Sequence, residues 1–145
     1  MSIIRKRTVD QNKTITYGGT QMDRCPFCWP IKDEEIILEY GTCVYITNLD
    51  QKLPGSGMIV PKAHRETVFD VTDQEMVDSL YLLKKAKQLL DASLKPDGYT
   101  VGWNCRPAAG QTVPHAHLHV IPRFQDEPLA GRGIRHHLIG EANKR

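Results

Sequence analysis

His115-Ala116-His117-Leu118-His119-Val120 alternates imidazole with apolar side chain, and only an extended backbone sorts such a pattern into two faces. In a strand the three histidines point to one side, roughly 6–7 Å apart, while Ala116, Leu118 and Val120 point into an apolar layer. Core packing gives no reason to line one strand face with imidazoles. A polar face whose histidines only hydrogen-bond is the plain alternative. Imidazole exchanges its proton near neutral pH and serves as nucleophile, acid–base or metal ligand, so this segment is the candidate chemical centre.

The surrounding chain is of a size for one domain with a single core: 145 residues. A net charge of +2 is too small to argue for nucleic acid or an anionic membrane as partner. No apolar run approaches transmembrane length, and the start, with Arg5, Lys6 and Arg7, lacks the apolar stretch of a signal peptide. A cytoplasmic protein with no membrane contact is the expectation. Residues 1–22 are polar and rich in threonine and glycine, which predicts a loosely ordered arm.

Ile36–Tyr40 and Cys43–Thr47 are β-branched runs separated by Gly41-Thr42 and predict a strand pair. A third strand, Met58-Ile59-Val60, follows the turn Leu53–Gly57 and stops at Pro61. Thr72 and Glu75 have capping-box spacing. Behind them Met76, Leu80, Leu83, Ala86, Leu90 and Leu94 recur at helical intervals, predicting a helix of about six turns that ends near Lys95. Tyr99–Asn104 reads as a fourth strand and the histidine segment as the fifth. The order predicts an α+β fold: an antiparallel sheet of about five strands, with one long helix and a shorter one.

Cys25-Pro26-Phe27-Cys28 has the spacing of a zinc knuckle, in which two thiolates bind one ion. A redox pair is the rival reading. Against it, Trp29-Pro30 disfavours a helix starting at the second cysteine, where a thioredoxin-like pair would sit. Cys43 and Cys105 have no evident partners and read as buried or incidental thiols.

Ala109-Gly110-Gln111-Thr112-Val113-Pro114-His115-Ala116-His117-Leu118-His119-Val120-Ile121-Pro122-Arg123 resembles the signature of the histidine triad (HIT) superfamily, with its G-Q-[ST]-V approach. With the upstream elements in register, the resemblance covers about residues 25–125, which implies a HIT domain over 23–125 and a C-terminal tail over 126–145 near the substrate pocket. It implies hydrolysis or transfer of nucleotides at the α-phosphorus through a covalent nucleotidyl-histidine. It also implies a homodimer with a continuous sheet. His117, the central imidazole, takes the role of nucleophile, its other ring nitrogen bonded to the main-chain carbonyl of His115. His119 would donate to a phosphate oxygen. Attack by a neutral imidazole makes sense at pH 7, because the adduct is in turn a good leaving group for water.

The same resemblance places Gln111, Thr112 and Gly110 at phosphate and leaving-group contacts, Asn104 at phosphate or ribose, and Asn48 at the ribose hydroxyls. Ile46, Leu49 and Leu53 would flank the base, or simply be core. It completes the knuckle with His64 and His115 as a structural, tetrahedral zinc site with Cys25 and Cys28. Two departures stand out. Ser56 replaces a histidine that in most relatives supports the triad, and Arg106 replaces a frequent glycine and could clamp a distal phosphate. Arg132 or Arg135 in the tail could meet a polyphosphate or the second nucleoside, and His136-His137 could form a fortuitous metal-binding pair; a solvated tail is the plain reading of the whole segment.

The expected substrates are dinucleoside polyphosphates or nucleoside phosphoramidates. A phosphorylase of the same dinucleotides is the alternative within this chemistry. A metal-centred hydrolase is a rival of another kind, although ligands at i, i+2 and i+4 of a flat strand converge poorly on one ion. A nucleotide-binding adaptor without turnover is the third.

Overall fold

The computed structural model describes residues 25–47 and 53–145. The expected N-terminal arm and the ribose candidate Asn48, with Leu49, lie outside the described residues. The strands are β1 (Ile36–Tyr40), β2 (Cys43–Thr47), β3 (Gly57–Pro61), β4 (Gly98–Trp103) and β5 (Leu118–Arg123). They form one antiparallel sheet in the order β1-β2-β3-β5-β4, so the histidine segment enters beside the centre and β4 is an edge. The helix α1 (Asp73–Leu94) packs across β1, β2 and β3.

Alternation along each strand gives the two faces different work. Tyr45, Ile59, Leu118 and Val120 turn to the helix and bury with Leu38, Leu82, Ala86 and Leu90. Each such fully buried side chain contributes roughly 1.5–3 kcal/mol. Val44, Ile46, Met58 and Val60 turn the other way and pack with Ile31 and Phe27. The helix-free face therefore receives the Cys25–Cys28 segment and, from β5, His119. Ile46, considered as a base contact, is a core residue of this second cluster, and Leu53 is exposed.

Thr72 caps α1 as its spacing predicts: the hydroxyl accepts from Glu75 N–H and the Glu75 carboxylate accepts from Thr72 N–H. The helix stops where Lys95 turns left-handed before Pro96. Its buried stripe, however, is Glu75, Ser79, Leu82, Ala86 and Leu90, whereas the expected core residues Met76, Leu80 and Leu94 are exposed. The first turns of the helix bury polar groups instead of apolar ones, because these serve the loops. Arg65 forks onto Glu75 at 3.0–3.2 Å, and Asp78 accepts from both the N–H (2.8 Å) and the hydroxyl (2.7 Å) of Thr42. Gly41 has φ +53°, and a Cβ there would lie 2.4 Å from the Asp78 carboxylate, so the β1–β2 turn requires glycine on both counts.

Two expectations need correction. Among the described residues α1 is the one α-helix, and the segment before β1 makes only a short 3-10 turn, Asp33–Glu35. The histidine segment is not strand throughout, since β5 begins at Leu118 and only His119 of the three lies in it. Upstream the backbone donors are spent elsewhere: Pro114 has none, His115 N–H bonds Val113 O (2.8 Å) and Ala116 N–H bonds Arg65 O (2.6 Å).

Burial alone would raise the carboxyl of Asp78, but the Thr42 and Gln74 donors outweigh it and hold the group below the usual aspartate range. A depressed folded-state value stabilises the fold above the unfolded pKa of about 3.9 and is lost as pH falls through the folded one. Asp78→Asn should therefore unfold at lower denaturant at pH 7, by about 1–3 kcal/mol, and lose less further stability than wild type between pH 5 and 3. Urea midpoints across that range check both.

Candidate active site

His115 is fully buried, and both of its ring nitrogens are committed. Nε2 lies 2.8 Å from Pro61 O, which only an N–H can satisfy, so Nδ1 carries the lone pair. That nitrogen lies 3.4 Å from Cys25 Sγ and 3.7 Å from Cys28 Sγ, and His64 Nδ1 lies 3.2 Å from Cys28 Sγ. Burial pushes the His115 imidazole below its ordinary value, which favours the neutral, ligating form. Cys28 N–H donates to Cys25 O (3.1 Å), so the C-x-x-C segment is a tight turn rather than a helix start.

The four ligand atoms of Cys25, Cys28, His64 and His115 lie within 4.8 Å of one another. Ligands at about 2.0–2.3 Å in a tetrahedron sit roughly 3.3–3.8 Å apart, and these separations are close to that. Two thiolates, two imidazoles and a carbonyl orienting one imidazole from behind make a donor set that fits a metal ion. The cluster can hold one.

His117 is reached from the same residue by the main chain. Its Nδ1 lies 2.7 Å from His115 O and must donate to it, so in the neutral ring the lone pair is on Nε2. The ring packs edge-on to Phe27 (centroids 5.2 Å) and to His119 (4.8 Å), and is 5 % exposed. A ring so held has one orientation and one uncommitted nitrogen. Burial, and secondarily His117 alongside, push His119 below the ordinary imidazole range. Ahead of β5, His115 and His117 thus split, one ring into the Cys–His cluster and the other toward His119.

Gln111 is buried, and its amide is spent within the protein. Oε1 accepts from Arg106 N–H (2.6 Å), while Nε2 donates to Glu66 O (2.7 Å) and Val113 O (3.0 Å). The expected phosphate contact is here a brace for the loop that delivers the histidines. Thr112, Gly110 and Asn104 are exposed, and Gly110 is left-handed at φ +91°. Arg106 adopts φ +73°, rare for a residue with a side chain, held by the Gln111 bond and an exposed ion pair with Glu66 at 2.9 Å. Its guanidinium faces the 66–70 loop. Ser56 is buried, and its hydroxyl has no partner among the described residues, so it does not substitute for a histidine's hydrogen bond to the triad. Sequence reasoning missed the brace and also Phe27, which packs edge-on against both buried imidazoles.

Residues 30–126 match the sequence profile described as the HIT domain. The chain is 32% identical over 110 residues to the bis(5'-adenosyl)-triphosphatase of Dictyostelium discoideum, covering 76% of this chain and 68% of that one. It is 33% identical over 97 residues to the AP-4-A phosphorylase of Mycobacterium tuberculosis, covering 65% of this chain and half of the phosphorylase. Among solved structures, a HIT family protein from Bacillus anthracis superposes with a TM-score of 0.65 at 28% identity, covering 73% and 77% of the two chains.

Replacing Gln111 with glutamate removes both N–H donors while keeping shape, leaving Glu66 O and Val113 O without them. Gln111→Glu should cost about 1–3 kcal/mol in thermal unfolding, and Gln111→Asn, too short for the three acceptors and donors at once, should not restore it.

Proposed function

The chain belongs to the HIT domain family, and from that premise we propose that it releases a nucleoside monophosphate from dinucleoside polyphosphates or nucleoside phosphoramidates through a nucleotidyl-His117 intermediate. The observation that carries this reading is the bond from His117 Nδ1–H to His115 O, which presents Nε2 as an unshared lone pair. In the first displacement that lone pair attacks the α-phosphorus, and the bond to the leaving group breaks. His119 donates to the phosphate oxygens as charge develops there. In the second, water attacks the phosphorus, the P–N bond breaks, and the imidazole recovers its lone pair. Gly110 and Thr112, exposed on the approach loop, contact the phosphate, and Gln111 acts through the loop it braces. Asn104 serves the phosphate or the ribose, and Asn48 the ribose hydroxyls. Phosphate in place of water would make the same site a phosphorylase, the activity named for the M. tuberculosis relative.

Cys25, Cys28, His64 and His115 hold a structural zinc ion in this reading. Bound there, the ion neutralises the thiolates and ties the N-terminal segment to His115, whose carbonyl orients His117. The donor set and its spacing support zinc. The metal-centred hydrolase is disfavoured because His115 and His117 turn their rings to different partners. A homodimer would cover the exposed Met76, Val77 and Leu80 of α1.

Rapid-quench mass spectrometry with diadenosine tetraphosphate and, separately, adenosine 5'-phosphoramidate tests the mechanism. A transient gain of one nucleotide is expected in wild type and none in His117→Ala; turnover with no adduct at any quench time would overturn it. Native mass spectrometry should find two chains with one zinc each. Cys25→Ser/Cys28→Ser should lose the metal and several degrees of melting temperature.

A further inference from the structure

Residues 62–67, between β3 and the 3-10 turn Val68–Asp70, belong to no strand or helix. Two side chains of this stretch are nevertheless fixed from within the protein. His64 reaches the Cys–His cluster. Arg65 forks onto the carboxylate of Glu75, through Nε (3.0 Å to Oε2) and Nη2 (3.1 Å to Oε1). Glu75 is 3 % exposed and is itself held, because its Oε2 also accepts from Thr72 N–H (2.8 Å) at the cap of α1. A bidentate guanidinium–carboxylate pair fixes direction as well as distance. The Arg65 backbone is thereby tied to the first turn of the long helix.

That backbone has a partner in the histidine segment, since Arg65 O accepts the N–H of Ala116 at 2.6 Å. The amide of Ala116 and the carbonyl of His115 are the two ends of one trans peptide unit. Such a unit is planar, and its N–H and C=O point in opposite directions, so fixing one fixes the other. Arg65 O thus aims His115 O, the acceptor of the His117 Nδ1 proton at 2.7 Å. The bond at the N–H end also polarises the carbonyl at the far end and makes it a stronger acceptor. A continuous course of short polar contacts runs from Glu75 through Arg65 and the 115–116 peptide to the His117 ring.

We propose that Arg65 and Glu75 are positioning residues for His117, and that through the 115–116 peptide they set the direction in which Nε2 meets phosphorus. The inference rests on the reading of His117 as nucleophile and names what aims it. Loosening the fork slows the displacement and spares nucleotide binding, because attack tolerates errors of direction far less than binding does. Three substitutions separate the fork from the helix cap. Glutamine at 75 keeps the cap, since an oxygen in place of Oε2 still accepts from Thr72 N–H, but it turns an NH2 against Arg65 Nη2, donor against donor. Lysine at 65 keeps the charge and loses the fork. Alanine at 72 does the converse, removing the hydroxyl that accepts Glu75 N–H (3.2 Å) and leaving the fork in place.

Single-turnover kinetics with diadenosine tetraphosphate compare wild type with Glu75→Gln, Arg65→Lys and Thr72→Ala. The rate of nucleotidylation at saturation should fall roughly 10–100-fold in the two fork variants, with the half-saturating substrate concentration within about twofold of wild type. Thr72→Ala should melt at a lower temperature and keep the wild-type rate. Proton NMR of protein labelled with isotopic nitrogen in its histidines gives a readout that needs no turnover. The downfield ring N–H signal that His117→Ala removes should persist in Thr72→Ala and shift or broaden in both fork variants. A wild-type rate with an unmoved His117 signal in the fork variants would overturn the proposal. So would an equal fall in rate in Thr72→Ala, or a loss seen only in the half-saturating concentration. Should wild type turn over neither diadenosine tetraphosphate nor adenosine 5'-phosphoramidate, the proposed reaction fails, and the His117 signal alone decides whether the fork positions the ring.

Discussion

A fully buried imidazole must be satisfied at both nitrogens, and His115 meets that demand from two directions. Pro61 O takes the proton of Nε2 and thereby fixes the tautomer, so Nδ1 faces the cysteines as a lone pair. Because Pro61 ends β3, the ring is keyed to the sheet, and because Cys25 and Cys28 stand against it, the N-terminal segment is keyed to the ring. The carbonyl of the same residue then fixes the tautomer of His117. Orientation of the His117 ring, assembly of the Cys–His cluster and attachment of the first described segment therefore all pass through one residue.

The division of the sheet follows from that placement. One face is closed by α1 and holds the larger core, which secures the fold independently of the chemistry. The other has only a small cluster, Val44, Ile46, Met58 and Val60 with Ile31 and Phe27, and this platform carries the Cys–His cluster and the two buried imidazoles. Phe27 belongs to both, packing on the apolar platform and edge-on to His115 and His117. Polar groups buried at the start of α1 complete the scheme from the far side. Glu75 accepts from Arg65, and Arg65 O accepts from Ala116 N–H within the histidine segment, so the helix N-terminus helps set the loop that carries His115.

Local signals were legible in the sequence, and long-range ones were not. The capping box at Thr72, the strand pair around Gly41-Thr42 and the C-x-x-C turn each depend on a few neighbouring residues, and each is where its pattern puts it. The cysteine–histidine set was legible through a resemblance, since Cys28 and His64 are 36 positions apart and nothing local joins them. The histidine alternation was over-read as strand along its whole length, because side-chain periodicity says nothing about where backbone donors find acceptors. Met76 and Leu80 misled for a related reason. Helical spacing names a stripe, but Glu75, Asp78 and Ser79 take the buried positions because Arg65, Thr42 and Cys43 lie opposite them. Gln111 was read as a ligand contact when its amide is turned inward, a choice set by Glu66 O, 45 positions away.

Arg123 ends β5 four residues after His119, and its hydrogen bonds assign it to the stretch that follows. A guanidinium has five N–H donors in a fixed plane, and this one spreads them over two main-chain carbonyls, a hydroxyl and a carboxylate. To bind a phosphate it would have to release the tail.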